Sequence, residues 1–391
     1  MTATPSASAA SPPRRVVLLG ATGSIGRQCC DVVARFPDRF ELVGVAAGSD
    51  VQGLAEVAAR FGVARAVVVA PPPGQELVAG MDAGLEAACE LAAMDSDVVC
   101  VAIPGAAALR PTLAALDAGR TVATATKEVL VMAGELVKSR AAAAAARILP
   151  VDSEHSALWQ CLRGERADAV RRLVLTASGG PFRERDPASF PAVTVAEALR
   201  HPTWTMGPKV TIDSATMMNK GLEIIEAHFL FDVAYPDIGV VIHPRSIVHS
   251  FVEFIDGAVM AQLGVPDMRV PIALALADGE RLPGIAAAVQ LTGTALEFFE
   301  VDSARFPAVA LARAAGEAGG VSPAVLNAAN EVAVAAFLES RIGYDRIVPL
   351  VAETVSAAPA VTAPSLADIL DADAWARTFA SDHIAGAVST A

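Results

Sequence analysis

Lysine is almost missing from this chain. Of its 30 cationic side chains only Lys127, Lys138, Lys209 and Lys220 are lysines, and the other 26 are arginines. The planar guanidinium fork has taken over general cation duty, which leaves the four ammonium groups for places that need a compact charge. Three of the four, Lys127, Lys209 and Lys220, fall in segments singled out below. Positive charge is scarce as a whole: 43 acidic residues leave a formal net charge of −13. That argues against broad binding to nucleic acid, which needs a basic face, while a small anion stays compatible if cations cluster locally. Long apolar runs are also missing. The chain is 53% hydrophobic, but its runs are broken by Pro, Gly or charge, and none approaches the roughly 18–20 residues of a membrane span. Cysteine is sparse and unpatterned. Cys29, Cys30, Cys89, Cys100 and Cys161 form no C-x-x-C pair, so they read as reduced core residues of a cytoplasmic protein and not as a disulfide framework. Residues 1–13 (MTATPSASAASPP) lack the apolar centre of a secretory signal and read as a disordered arm.

What is present is organised. A single core rarely grows beyond about 250–300 residues, so 391 residues imply two or three domains. RRVVLLG (14–20) reads as a buried strand, with a helix near 25–36. Strands are expected at 40–46, 66–70, 97–103 and 121–125, and helices at 51–61, 109–118 and 129–146. This alternation predicts a parallel, doubly wound sheet. RILPV (147–151) reads as a strand running into DSEH, and 173–176 as a strand before SGGPF. Residues 178–209 read as a long loop with one short helix at 195–200, followed by a helix over 214–231. Strands at 240–242, 247–255 and 258–263 predict a second sheet. Residues 280–310 look like a connection, and from 311 onward the pattern is helical. No internal repeat is visible.

GATGSIG (20–26) follows a strand and opens a helix. The first glycine allows the tight turn, the middle one lets backbone N–H groups approach a pyrophosphate, and the last lets helix and sheet pack closely. The spacing is G-x-x-G-x-x-G, and its context, with a strand before and a helix after, marks a dinucleotide site. Asp50, just past the second strand, favours a free ribose 2′-hydroxyl or else caps the helix that starts at Val51.

Asp152 and Glu154 stand two apart at an expected strand end, so a period of two places them on one face. Two adjacent carboxylates repel, and burying them needs a cation. In the helix over 214–231, Leu222, Ile225 and Phe229 form the apolar stripe. Asn219, Lys220 and Glu223 project from a shared polar face that Glu226 continues. Oxygen ligands at Asp152, Glu154 and Glu223, without Cys or His, suit Mg²⁺ or Mn²⁺. SGGPF (178–182) offers N–H groups and a hydroxyl to an anion. HPTWTMG (201–207) puts a His, a Trp and a Met in a loop, as a water-excluding lid would. His243 and His249 read as structural histidines. These residues point to a metal-assisted, dinucleotide-dependent enzyme acting on a phosphorylated substrate. A metal-free dehydrogenase and a nucleotide-sensing regulator are the competing classes.

Lined up, these blocks resemble the 1-deoxy-D-xylulose 5-phosphate reductoisomerase family. The matching segments are GATGSIG (20–26), TKE (126–128), VDSEHSALWQCL (151–162), TASGGPF (176–182), HPTWTMGPKVTIDSATMMNKGLEIIEAHFLF (201–231), HPRSIVHS (243–250), AQLGVPDMR (261–269) and NAANEVAVAAF (327–337). The resemblance implies conversion of 1-deoxy-D-xylulose 5-phosphate to 2-C-methyl-D-erythritol 4-phosphate with NADPH and Mn²⁺ or Mg²⁺, a step of non-mevalonate isoprenoid precursor synthesis. A skeletal rearrangement is followed by hydride reduction of the aldehyde. It implies that Asp152, Glu154 and Glu223 hold the metal and act in catalysis with Lys127 and His201. Substrate would meet Lys127, Ser153, Glu154, Ser178, His201, Ser214, Asn219, Lys220 and Glu223. The cofactor would meet Thr22, Gly23, Ser24, Ile25, Gly48, Thr126, Glu128 and Gly207, with Trp204 and Met206 on the lid. It also implies a cytoplasmic homodimer with no nucleic-acid or membrane partner. Two positions depart from the family pattern. Ser49 and Asp50 stand where a cation and Asn are common, and Thr126 stands where Asn is common. Both lie on the cofactor side.

The expected fold class is therefore α/β: an N-terminal Rossmann-like parallel sheet, a central α+β catalytic domain and a C-terminal helical bundle. The expected division is the arm 1–13, an NADPH-binding domain 14–150, and a catalytic and metal-binding domain 151–285 with its lid loop at 178–209. A linker 286–310 and a helical domain 311–391 complete it.

Overall fold

Seven parallel strands build the first half of the protein. The computed structural model describes residues 12–389, so most of the expected N-terminal arm (1–11) lies outside the described residues. The strands are β1 (Arg14–Leu19), β2 (Phe40–Ala47), β3 (Ala66–Val68), β4 (Met81–Ala83), β5 (Val98–Val101), β6 (Thr121–Thr124) and β7 (Ile148–Pro150). Helices α1 (Ser24–Arg35), α2 (Val51–Phe61), α3 (Leu85–Ala93), α4 (Leu109–Asp117) and α5 (Glu128–Ala143) connect them. The sheet order is β4-β3-β2-β1-β5-β6-β7, the doubly wound arrangement the alternation predicts. Its central strands are apolar throughout because helices cover both faces: Val16, Val17, Leu18 and Leu19 are fully buried. Strand order reverses beside β1, which opens a crevice at the carboxyl ends of β1 and β5. The pair β4 and α3 was not anticipated from sequence. β4 is three residues long, and two of them are exposed.

The chain then enters α6 (Ser153–Leu162) directly from β7. This corrects the expectation that Asp152 and Glu154 alternate along a strand. Asp152 is the N-cap of α6 and Glu154 lies in its first turn, where a carboxylate is favoured by the helix dipole. A second sheet, ordered β11-β10-β8-β9, comprises β8 (Val170–Ala177), β9 (Ile238–Ile242), β10 (Val248–Phe254) and β11 (Val259–Leu263).

The segment expected as a long loop with one short helix carries that helix and is also packed against the body. Residues 187–192 form a 3₁₀ turn, and α7 (Val195–Ala198) starts with a capping box between Thr194 and Glu197. Phe182 and Phe190 pack edge-on against Tyr344, whose hydroxyl donates to the Ala215 carbonyl at 2.7 Å. These aromatics bind 178–200 to the body and leave 201–207 as the loop proper. The helix expected over 214–231 is two helices, α8 (Pro208–Thr216) and α9 (Met218–Phe231). They are split at Met217, which adopts a left-handed conformation (φ 63°).

After β11 the chain returns to the first sheet. In α10 (Arg269–Leu276), Ile272, Ala275 and Leu276 join the core of Val16, Leu18 and Val98. Residues 277–306 carry little regular structure apart from a bridge between Ile242 and Phe299. The rest is helical: α11 (Pro307–Ala318), α12 (Ser322–Leu338), α13 (Ile347–Ser356) and α14 (Leu366–Ser389). These helices share one core with α9, a cluster that includes Leu222, Ile225, Ala308, Ala312, Leu326, Ala329 and Ala333. Contact is close enough that a Cβ on Gly221 would lie 2.5 Å from the Ala312 Cβ. The five cysteines are unbridged; four are buried and Cys89 is half-buried. Among the described residues no helix is long and apolar enough to cross a membrane.

Candidate active site

One cavity of about 800 Å³ opens between the two sheets, and it draws its walls from both. This is an ordinary volume for a ligand site. Of the residues expected at a site, sixteen line it: Gly23, Ser24, Ile25, Thr126, Lys127, Glu128, Asp152, Ser153, Glu154, Ser178, His201, Gly207, Ser214, Asn219, Lys220 and Glu223. Thr22 and Gly48 do not line it.

The dinucleotide end is made by backbone. Gly20 has φ 96°, and a Cβ there would lie 2.3 Å from the Ala102 carbonyl oxygen. A Cβ on Gly26 would meet the Gly20 carbonyl oxygen at 2.1 Å. Helix α1 thus packs directly on the turn, and its N-terminal N–H groups face the crevice, as anion binding requires. The Asp50 carboxylate accepts a hydrogen bond from the Gly53 N–H at 2.9 Å. It caps α2, so the capping alternative describes it.

The opposite end is made of charge. Lys127 and Asp152 sit just past the carboxyl ends of neighbouring parallel strands β6 and β7, which are in register at Thr124 and Pro150. That topology sets them side by side. The Lys127 ammonium donates to Asp152 and, at 3.2 Å, to Glu223 Oε1. The Lys220 ammonium donates to Glu154 Oε1 at 2.7 Å and to Glu223. Asn219 also donates to Glu223, and Ser153 Oγ donates to Glu154 Oε2 at 2.5 Å. Glu223 is only 1% exposed.

Burial raises the Asp152 pKa to about 6; the neighbouring carboxylates add to the rise and Lys127 opposes it. Burial also works against the charged form of Glu154, yet Lys220 and Ser153 outweigh it and hold the pKa at about 2. The two lysines are burdened by burial, but their carboxylate partners push both pKa values up. Such a separation of neighbouring groups is a mark of functional sites.

Asp152, Glu154 and Glu223 offer only oxygen, the donor type of a hard divalent cation. The two ammonium groups already stand among these carboxylates as cations, so the donor set fits such an ion. Among the described residues, the three-residue group whose ligand-type atoms lie within 4.8 Å of one another is instead Asp152, His155 and Glu226. Only Asp152 is common to both sets. His155 Nε2 lies 2.9 Å from the Glu223 carbonyl, and its Nδ1 lies 3.1 Å from Glu226 Oε2. Both side chains are fully enclosed. Burial drives the His155 pKa down to about 4. Glu226 therefore continues the polar face of α9 inward, beneath the site.

A third group is neutral. His201 Nδ1 accepts N–H bonds from Trp204 (2.9 Å) and Thr203 (3.2 Å). Nε2 therefore carries the proton. It lies 3.1 Å from Ser178 Oγ and 3.0 Å from Ser214 Oγ, and burial lowers the His201 pKa to about 4. With Asn219 and Lys220 close by, these hydroxyls form a cradle for an anion. The 201–207 loop lies over the cavity: Trp204 packs on His249 with ring centroids 6.2 Å apart, and Thr203 Oγ1 lies 3.3 Å from Ser246 Oγ.

Sequence reasoning missed several lining residues. His249 lines the cavity, whereas His243 is structural, bonded to the Glu297 carbonyl and stacked on Phe298. Ser246 was not singled out, although it is a non-glycine residue with φ 50°. Lys209 and Asp213 were also missed. The scarcity of lysine was the available signal for Lys209.

Comparison with known proteins covers most of the chain. The family profile for 1-deoxy-D-xylulose 5-phosphate reductoisomerase matches residues 16–134, and those for its C-terminal domains match 148–231 and 263–379. The 1-deoxy-D-xylulose 5-phosphate reductoisomerase of Leifsonia xyli subsp. xyli is 51% identical, covering 95% of this chain and 99% of its own. That of Chlorobium chlorochromatii is 50% identical, covering 95% and 100%. The solved structure of the enzyme from Zymomonas mobilis in complex with NADPH superposes with a TM-score of 0.87 at 42% identity, covering 95% and 99%. A structure of DOX-P reductoisomerase in complex with NADPH, fosmidomycin and magnesium gives 0.87 at 38% identity, covering 95% and 98%.

Proposed function

This chain belongs to the 1-deoxy-D-xylulose 5-phosphate reductoisomerase family, and from that premise we propose that it converts 1-deoxy-D-xylulose 5-phosphate to 2-C-methyl-D-erythritol 4-phosphate with NADPH and Mn²⁺ or Mg²⁺, in isoprenoid precursor synthesis. The observation that carries this reading is the shared cavity. A dinucleotide turn, an anion cradle and an oxygen-only donor set all open into one space.

Asp152, Glu154 and Glu223 would hold the metal, which supplies Lewis-acid polarisation of paired carbonyl and hydroxyl oxygens. Gly23, Ser24, Ile25, Thr126, Glu128 and Gly207 would hold NADPH, which would supply the hydride for the reductive half of the reaction. The residues of the chain position and enclose. Ser178, Ser214, Asn219 and Lys220, ordered by His201, hold the phosphate, and that remote grip helps fix the reacting carbons. Ser153 and Lys127 donate hydrogen bonds to substrate oxygens, and Lys127 stays protonated because its carboxylate partners outweigh burial. Trp204 and Met206 exclude water when 201–207 closes.

A spectrophotometric assay of NADPH loss with 1-deoxy-D-xylulose 5-phosphate tests this, run with Mn²⁺ and after chelation. Metal-dependent oxidation is expected. No oxidation of NADPH, or oxidation indifferent to chelation, would overturn the reading.

The chain is also proposed to act as a cytoplasmic homodimer. β11 is an edge strand. Val259 and Met260 on it are exposed, and Ile255 in the preceding turn is 70% exposed. An apolar edge of this kind calls for a partner. A monomeric mass by sedimentation equilibrium would exclude the dimer.

A further inference from the structure

Lys209 is the lysine that the proposed reaction leaves without a task. Lys127 and Lys220 stand among the carboxylates, and Lys138 pairs with the exposed Asp232. Lys209 lies in the first turn of α8, whose N-cap is Gly207. Helix N-termini carry partial positive charge, so an ammonium is disfavoured there. The helix alone gives no reason for it.

Two carboxylates supply the reason. The Lys209 ammonium lies 2.8 Å from Glu128 Oε1 and 2.9 Å from Asp213 Oδ2. Glu128 is buried at the head of α5, next to Thr126 and Lys127 on the cofactor wall. Asp213 is buried on α8 itself, and its Oδ1 accepts from Asn330 Nδ2 of α12 at 2.7 Å. The Asp213 end is thus anchored in the helical core. The Glu128 end reaches the dinucleotide crevice. Lys209 joins the two, only two residues beyond the last residue of the 201–207 loop.

We propose that Lys209 is a positioning residue that ties the C-terminal hinge of the 201–207 lid to Glu128, coupling a bound dinucleotide to lid closure. This rests on the assignments above of Glu128 to the cofactor and of 201–207 to the lid. A carboxylate has two oxygens, so Glu128 keeps Lys209 on Oε1 while the other accepts from a ligand donor. A dinucleotide that fixes Glu128 then fixes the start of α8. The lid, pinned at its exit, has less freedom to lose on closing.

The test is amide hydrogen exchange over 201–207 in the full chain, with and without NADPH, in wild type, Lys209→Gln, Glu128→Gln and the double variant. NADPH binding is measured separately by calorimetry. NADPH is expected to slow exchange about tenfold in wild type, a typical coupling between sites. Each single variant should lose most of that protection, and the double variant no more than the worse single. A merely structural Lys209 would lower the melting temperature and leave the NADPH-dependent protection unchanged, which would overturn the inference alone. Wild type that binds NADPH without protecting 201–207 would overturn the coupling and leave the cofactor reading intact. Wild type that does not bind NADPH would overturn the proposed function itself.

Discussion

The two ends of the cavity are built from different materials. At the dinucleotide end, glycines bring backbone to within contact of backbone, and side-chain chemistry is thin: Asp50 is spent on a helix cap, and Gly48 and Thr22 stand off the cavity wall. At the other end, buried Lys127, Lys220 and Glu223 interlock with the partly buried Asp152 and Glu154, all at the starts of α5 and α6 or on α9. A backbone-built site constrains which residues are forbidden. A charge-built site constrains which residues are required. The departures from the family pattern, Ser49, Asp50 and Thr126, all fall at the backbone-built end, where identity matters less.

This contrast can be broken by substitution. Glu223→Gln should have the largest effect, lowering turnover about 10²–10³-fold or more, because Glu223 is the one group facing both ammoniums and the proposed metal. Its folding midpoint should stay near that of wild type. Near-normal turnover at saturating Mn²⁺ would show that charge at Glu223 is dispensable. Gly26→Ala probes the other end. Its Cβ would meet two stretches of backbone, for a cost of about 3 kcal/mol, read from denaturant midpoints, together with weakened NADPH binding. Full stability would mean that α1 can shift away from the turn.

A pH series sharpens the comparison, because the charge-built end holds groups whose titration burial shifts strongly. His155 has its pKa lowered to about 4 against an ordinary 6.5. The unfolded chain therefore binds more protons between these values, and this group costs stability as pH falls from about 6.5 to 4. Asp152 has the opposite sign. Its raised pKa, about 6, stabilises the protonated fold, a contribution that fades as pH rises through 6. The His155→Gln variant should lose stability less steeply on acidification than wild type. Parallel curves by chemical denaturation would remove His155 from the account. The smallest effect is expected from Asp50→Ala: about 1 kcal/mol of lost capping, with the ratio of NADPH to NADH efficiency almost unchanged. A large change in that ratio would show that Asp50 reads the ribose after all.

The same contrast governs what could be read from the sequence. The doubly wound sheet was legible because buried strands are apolar throughout and the glycine turn sits between one of them and a helix. β4 was not, since Met81, Asp82 and Ala83 carry neither alternation nor an apolar run. The start of α6 was mistaken for a strand end because the apolar run of β7 continues straight into Asp152. The N-cap and the acidic first turn were the helix signals, and they were read as strand alternation. Asn219, Lys220 and Glu223 were legible as a set because one helix carries all three. The pairing of Lys209 with Glu128 spans 81 positions, and no local pattern encodes it. Nor could spacing show that Phe182 and Phe190 pin most of the long loop to Tyr344.

The close packing of Gly221 against Ala312 has a consequence for anyone wishing to shorten this protein. Among the described residues, nothing beyond Arg269 lines the cavity, so the last third of the chain looks expendable. Helix α9, however, presents Asn219, Lys220 and Glu223 on one side and rests another side on α11. A chain ending before Pro307 would keep every proposed ligand and lose the surface they stand on. The catalytic half is a façade without its rear wall, and minimisation of this protein has to begin elsewhere.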